Sequence, residues 1–153
     1  MDIKVLVIGG GGREHAIVDA LARSAQVEKI WCAPGNAGIA AQAECLAIKE
    51  TEVERLRDFA AANEIGLTVV GPEVALAAGV VDAFKAAGLR IFGPTKAAAR
   101  IESSKEFAKD LMAKYAIPTA GYRAFTEYAE ALDYVASRPL PAAVSYTHLR
   151  AHE

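Results

Sequence analysis

Along the first two thirds of the chain, short apolar runs stopped by glycine or proline alternate with stretches of helical spacing. Lys4 to Ile8 (KVLVI) is a β-branched run ending at Gly9, the pattern of a strand buried on both faces. Arg13 to Ser24 places Ala16, Ile17, Ala20, Leu21 and Ser24 on one stripe and predicts a helix. Lys29 to Cys32 predicts a second strand, closed by Ala33-Pro34-Gly35, and a brief apolar segment follows at Cys45 to Ile48. Thr51, with Glu54 three residues on, has the form of a capping box that opens a helix through Leu56, Phe59 and Ala60 to about Asn63. Leu67 to Val70 predicts a strand ended by Gly71-Pro72, Val74 to Ala87 a helix capped by Gly88, and Arg90 to Phe92 a strand ended by Gly93-Pro94. Strands and helices alternating on short loops imply right-handed crossovers. The expected fold class is therefore α/β, a parallel Rossmann-like sheet with flanking helices.

Near Ile101 the character changes. Ser103 and Ser104 are candidate N-caps of a helix whose core stripe is Phe107, Leu111, Met112 and Tyr115 and which stops before Pro118. Thr119 to Phe125 reads as a strand, Thr126 as the cap of a helix from Glu127 to about Ala136, and Pro139-Leu140-Pro141 as the approach to a strand that does not follow. The expected organisation is one domain over 1–101, the start of a second over 102–142, and a tail over 143–153. That tail holds His148 and His152, spaced as a metal pair on a helix would be. However, Val144 to Glu153 back-translates to GTC TCT TAT ACA CAT CTC CGA GCC CAC GAG, the sequence of a transposon-type sequencing adapter. The tail is read as an adapter translated in frame and is set aside from fold reasoning, the histidine pair with it. His15 is then the one histidine that counts.

Composition narrows the function classes. The chain has 153 residues, 53% of them hydrophobic, and a net charge of −2. Discounting Arg150 and Glu153 together leaves that charge unchanged. A chain this apolar buries enough surface to offset its ordering entropy, so disorder is excluded. A near-neutral balance gives no electrostatic case for nucleic acid or an anionic membrane. No apolar stretch approaches the roughly 20 residues that span a bilayer. No signal peptide opens the chain, so the expected address is the cytoplasm, with Cys32 and Cys45 as reduced thiols that pack as small apolar residues.

The chemistry gathers at the ends of the strands. In an open parallel sheet, ligands bind beyond the carboxyl edge. There the chain carries Gly9-Gly10-Gly11-Gly12-Arg13-Glu14-His15, then Ala33-Pro34-Gly35-Asn36-Ala37-Gly38, then Gly71-Pro72-Glu73 and Gly93-Pro94-Thr95. Consecutive glycines let backbone amides approach a phosphate while the following helix presents its positive end. Arg13 adds a planar cation suited to phosphate. Glu14 and Glu73 are suited to orienting a hydroxyl or an ammonium, although Glu14 in a first helical turn also simply favours the helix dipole. His15 reads equally as a phosphate or ribose contact and as a partly buried polar residue. A dinucleotide fingerprint fits poorly, because Glu14 stands where its third glycine belongs and no acidic residue follows Trp31-Cys32-Ala33-Pro34. The Gly-Lys-Ser/Thr of a P-loop does not follow the glycines either.

Six stretches in order sharpen the reading: Gly10 to Ala16 (GGGREHA), Ala33 to Gly38 (APGNAG), Val70 to Glu73 (VGPE), Phe92 to Thr95 (FGPT), Ser104-Lys105, and Ile117 to Ala120 (IPTA). Together they closely resemble the glycinamide ribonucleotide synthetase family, from Met1 to about Ala142. The resemblance implies an ATP-grasp ligase of purine synthesis that joins glycine to 5-phosphoribosylamine with ATP and Mg2+. Glycine would be activated as an acyl phosphate and then attacked by the ribosylamine nitrogen. It implies a pre-ATP-grasp domain in which Gly10, Gly11, Gly12, Arg13, Glu14, His15, Asn36, Gly71, Pro72 and Glu73 line the ribosylamine phosphate site. Lys105, solvated on sequence grounds, becomes an ATP-phosphate contact. Gly9 departs from the family, where this strand more often ends in Gly-Asn-Gly-Gly. The family's glycine- and lysine-rich ATP loop and its magnesium carboxylates have no counterpart here, so the chain is expected to be the truncated N-terminal third of such a ligase, inactive by itself, with neither catalytic nor metal-binding residues. The alternatives weighed are another ATP-grasp ligase or carboxylase, a nucleotide-binding module without a reaction, and an oxidoreductase.

Overall fold

The computed structural model describes residues 3–138 and divides into two compact units, one ending at Ser103 and one beginning at Ser104. The first unit holds five parallel strands: β1 (Ile3–Gly9), β2 (Val27–Pro34), β3 (Glu44–Cys45), β4 (Leu67–Val70) and β5 (Ile91–Phe92), in the order β3-β2-β1-β4-β5. Between them run α1 (Gly12–Ala22), α2 (Val53–Ala62), α3 (Glu73–Ala78) and α4 (Val80–Ala86), with α5 (Lys96–Ser103) after β5.

Strand β1 explains the layering. Its Val5, Leu6, Val7 and Ile8 are all fully buried, which a central parallel strand requires. Leu6 and Ile8 face a core with Leu56 and Ala60 of α2, Ala75 of α3 and Phe84 of α4. Val5 and Val7 face the opposite layer, with Val18 of α1 and Ile39. The strand order reverses beside β1, whose neighbours are β2 on one side and β4 on the other. That is the switch point at which loops leave the sheet in opposite directions and open a crevice.

Several local expectations are corrected. The buried stripe of α1 is Glu14 and Val18, flanked by Ile17 and Leu21, whereas Ala16 and Ala20 are exposed. The Thr51 capping box does not form: α2 starts after Glu52, whose carboxylate instead accepts from the Lys49 amide and from Arg55. The expected helix over 74–87 is two helices, broken where Gly79 takes φ +93°. Helix α5 has no counterpart in the sequence reading. Cys45 is exposed instead of packed.

In the second unit, α6 (Lys105–Lys114) is capped by Ser104, whose Oγ accepts from the Phe107 amide at 3.3 Å. Its most buried position is Ala108, and Tyr115 is exposed. Residues 119–125 form no strand; Lys109 Nζ donates to Thr119 Oγ1 and the Ala120 carbonyl, and Tyr122 donates to Asp110, so side-chain contacts with α6 hold part of the segment. Helix α7 (Tyr128–Ala136) begins after Glu127, not on a Thr126 cap. The expectations for Pro139-Leu140-Pro141 and for the tail over 143–153 lie outside the described residues.

Candidate functional site

The crevice is built by three loops that interlock through backbone. Gly9 ends β1 with φ +125°, a conformation side chains disfavour, and a Cβ there would come within 2.6 Å of Glu14 Cγ. Its carbonyl accepts from the Gly35 amide at 3.1 Å and from the Cys32 thiol at 3.2 Å. The Gly10 carbonyl accepts from Asn36 Nδ2 at 2.9 Å, while Asn36 Oδ1 accepts from the Ile39 amide at 2.9 Å. Asn36 therefore ties the β2 loop to the glycine loop.

Glu14 faces inward. It is 4% exposed, and its Oε2 accepts from the Gly11 amide at 2.6 Å, one half of a capping box at the N-terminus of α1. The rest of the carboxylate lies against Gly71, leaving no room for a side chain there. Arg13, exposed and one residue earlier, points the other way and donates from Nη1 to the Gly71 carbonyl at 2.7 Å. The same glycine is thus gripped by both residues.

A guanidinium carries five N–H donors, so this bond leaves others for a ligand. Beside it lies a cavity of about 160 Å³, walled by Arg13, Gly71, Glu73, Leu76, Pro94 and Ala99 among others. The flank at Gly12 is open, with nothing within 4 Å of where its Cβ would stand. His15 is half-buried and its ring packs against Gly38, 2.6 Å from the place of a Cβ. Pro72 caps α3, which puts Glu73 in the first turn. The structure therefore brings Gly10 to His15, Asn36 and Gly71 to Glu73 to one edge of the sheet. Lys105 opens α6 in the second unit and is exposed.

Two features were not read from the sequence. The Cys32 thiol is a buried donor to the loop, and burial, then Cys45, then Glu14 push its pKa up to about 12. Asn36 and Glu14 turn toward backbone; the Gly11-to-Glu14 spacing was the available signal, obscured because glycine has no capping side chain. A second hollow of about 360 Å³ lies by the start of β2, crossed by the Lys29–Glu44 ion pair at 2.7 Å. It shares no residue with the loops. Among the described residues, no group of three or more His, Cys, Asp or Glu is placed to hold a metal ion.

The pattern described as phosphoribosylglycinamide synthetase, N domain, matches residues 3–102, and that of the ATP-grasp (A) domain of the same synthetase matches residues 103–151. The chain belongs to the phosphoribosylglycinamide synthetase family. It is 56% identical over 142 residues to the phosphoribosylamine–glycine ligase of Caldanaerobacter subterraneus subsp. tengcongensis, covering 93% of this chain and 34% of that one. With the Pasteurella multocida ligase it shares 54% over 151 residues, covering 97% and 35%. The crystal structure of phosphoribosylamine–glycine ligase from Thermotoga maritima superposes with a TM-score of 0.55 at 31% identity, over 78% of this chain and 26% of that one. The chain thus spans about a third of the length of these curated synthetases. Its α/β class and parallel sheet agree with the sequence reading.

Proposed function

We propose that the loops after β1, β2 and β4 bind the ribosyl phosphate of 5-phosphoribosylamine, and that the chain is the substrate-phosphate portion of a phosphoribosylamine–glycine ligase. The observation that carries this is Arg13 held by the Gly71 carbonyl beside the cavity, at the positive end of α1. The fixed guanidinium and the first-turn amides, which have no carbonyl partner inside a helix, suit a phosphate dianion. Glu73, in the cavity wall, suits a ribose hydroxyl or the amine.

Binding the phosphate at a distance from the reacting nitrogen fixes that nitrogen's direction, which is how remote binding energy favours an attack. In this reading 1–101 is the substrate-binding domain and 102–142 begins an ATP-grasp domain, whose family pattern runs on to residue 151. The partners are small molecules, 5-phosphoribosylamine and glycine, with neither nucleic acid nor a membrane, and the setting is the cytoplasm. No helix among the described residues is long and apolar enough to cross a membrane. ATP would supply the phosphoryl group that activates glycine, and Lys105 is the candidate contact for its phosphates. Mg2+ would neutralise the charge of the ATP phosphates.

Calorimetry with glycinamide ribonucleotide at millimolar concentration tests the reading. A saturable heat is expected, and no heat from a folded sample would contradict it. The companion expectation is that this polypeptide releases no phosphate from ATP in the presence of glycine and the ribosylamine. Release that depends on both would show that it needs nothing beyond its own residues.

A further inference from the structure

Cys32 and Cys45 stand opposite one another on the parallel strands β2 and β3, the pairing confirmed by the Leu46 amide donating to the Cys32 carbonyl at 2.9 Å. Register partners in a sheet project to the same face and stand about 4.8 Å apart at Cα, inside the range of roughly 4.4–6.8 Å that a disulfide spans. The two side chains also flank one glycine. A Cβ on Gly35 would collide with Cys45 Sγ and lie 3.5 Å from Cys32 Cβ. One thiol is exposed and the other fully buried, so a reagent in solution has access to one end of the pair.

We propose that Cys32 and Cys45 form a reversible dithiol–disulfide site that reacts with low-molecular-weight disulfides. The Cys45 thiolate attacks a reagent disulfide such as oxidised glutathione; a protein–glutathione bond forms and one glutathione thiolate leaves. Cys32, giving its proton to solvent, then attacks the Cys45 sulfur and expels the second glutathione. Two protein thiols have lost two electrons, and one reagent disulfide has become two thiols. Because burial and its neighbours keep the Cys32 thiol protonated, the second step is the slow one and accelerates with pH. Closure also withdraws the Cys32 thiol from the Gly9 carbonyl at the root of the glycine loop. A consequence that rests on the proposed phosphate site is that the oxidised chain binds glycinamide ribonucleotide several-fold more weakly.

Both cysteines lie in the single tryptic peptide from Ile30 to Lys49, so one mass spectrum reads the outcome. The native chain is incubated with oxidised glutathione at pH 8, alkylated, run on a non-reducing gel and digested. The expected peptide carries no alkyl group and no glutathione, from monomeric protein, and regains two alkyl groups after reduction. A peptide with glutathione on Cys45 and an alkyl group on Cys32 after prolonged incubation would overturn the proposal, as would a covalent dimer through Cys45. Cys45→Ser, at an exposed position, should abolish the cross-link without altering the fold. The mapping involves no ribonucleotide, so it stands or falls separately from the phosphate site: a cross-linked chain with undiminished ribonucleotide binding would remove the consequence and leave the disulfide.

Discussion

The Glu14 carboxylate occupies the space that a side chain at Gly71 would need, with Cδ 2.5 Å from the position of a Cβ. The β1 loop and the β4 turn are therefore fitted to each other by one buried acid and one missing methyl. Gly71→Ala is expected to cost about 1–3 kcal/mol, the usual scale for forcing a group into a packed site. In a double-mutant cycle, Glu14→Ala should relieve much of that cost, giving a coupling of at least about 1 kcal/mol by urea denaturation. Additive losses would show that the two residues do not share the space.

Arg13 lines the cavity proposed to hold the phosphate, and its guanidinium is held by a carbonyl in place of a carboxylate. Arg13→Ala should weaken glycinamide ribonucleotide binding by roughly 10- to 100-fold, the loss of one charge-assisted contact, while moving stability by less than about 1 kcal/mol because the side chain is exposed. Titration calorimetry paired with thermal melting separates these effects. Loss of binding together with loss of fold would make Arg13 a strut alone.

Cys32 sets a pH dependence. An unfolded thiol ionises near its ordinary value of 9.0, whereas burial holds the folded one up to about 12. Between those values the folded state keeps a proton that the unfolded state has released, so stability falls as pH rises. The contribution is complete below pH 9 and is lost through pH 12. Urea midpoints from pH 8 to 11 should fall more steeply for the wild type than for Cys32→Ala. Equal slopes would mean that Cys32 ionises alike in both states.

Thr68, on β4 and 1% exposed, carries a hydroxyl with no hydrogen-bond partner among the described residues. Thr68→Val removes a buried polar atom at nearly constant shape and should raise stability by about 1 kcal/mol. A destabilised variant would mean that the hydroxyl is satisfied.

Much of this arrangement was legible because its causes are local. The run from Val5 to Ile8 is apolar on both faces, which only a central parallel strand explains, and each glycine cluster marks a strand end. The Gly79 break and helix α5 were not legible: the first needs a left-handed turn inside an otherwise helical pattern, and the second is only 8 residues long, with alanine at three of its first four positions. At the site, residue types indicated phosphate, but direction was hidden. Glu14 and Arg13 are neighbours in sequence yet reach different parts of the same glycine, one filling its side-chain space and one bonding its carbonyl, which only the seating of α1 on β1 and β2 decides. Cys45 was misjudged for the related reason that β3, two residues long, leaves it exposed at the sheet edge.

The most direct test of the phosphate site is a ¹H–¹⁵N NMR titration of the chain with glycinamide ribonucleotide. The account predicts saturable shifts concentrated at the amides of Gly10 to His15, Asn36, Gly71 and Glu73. Shifts confined to the hollow beside Lys29 and Glu44, or none on a folded sample, would contradict it.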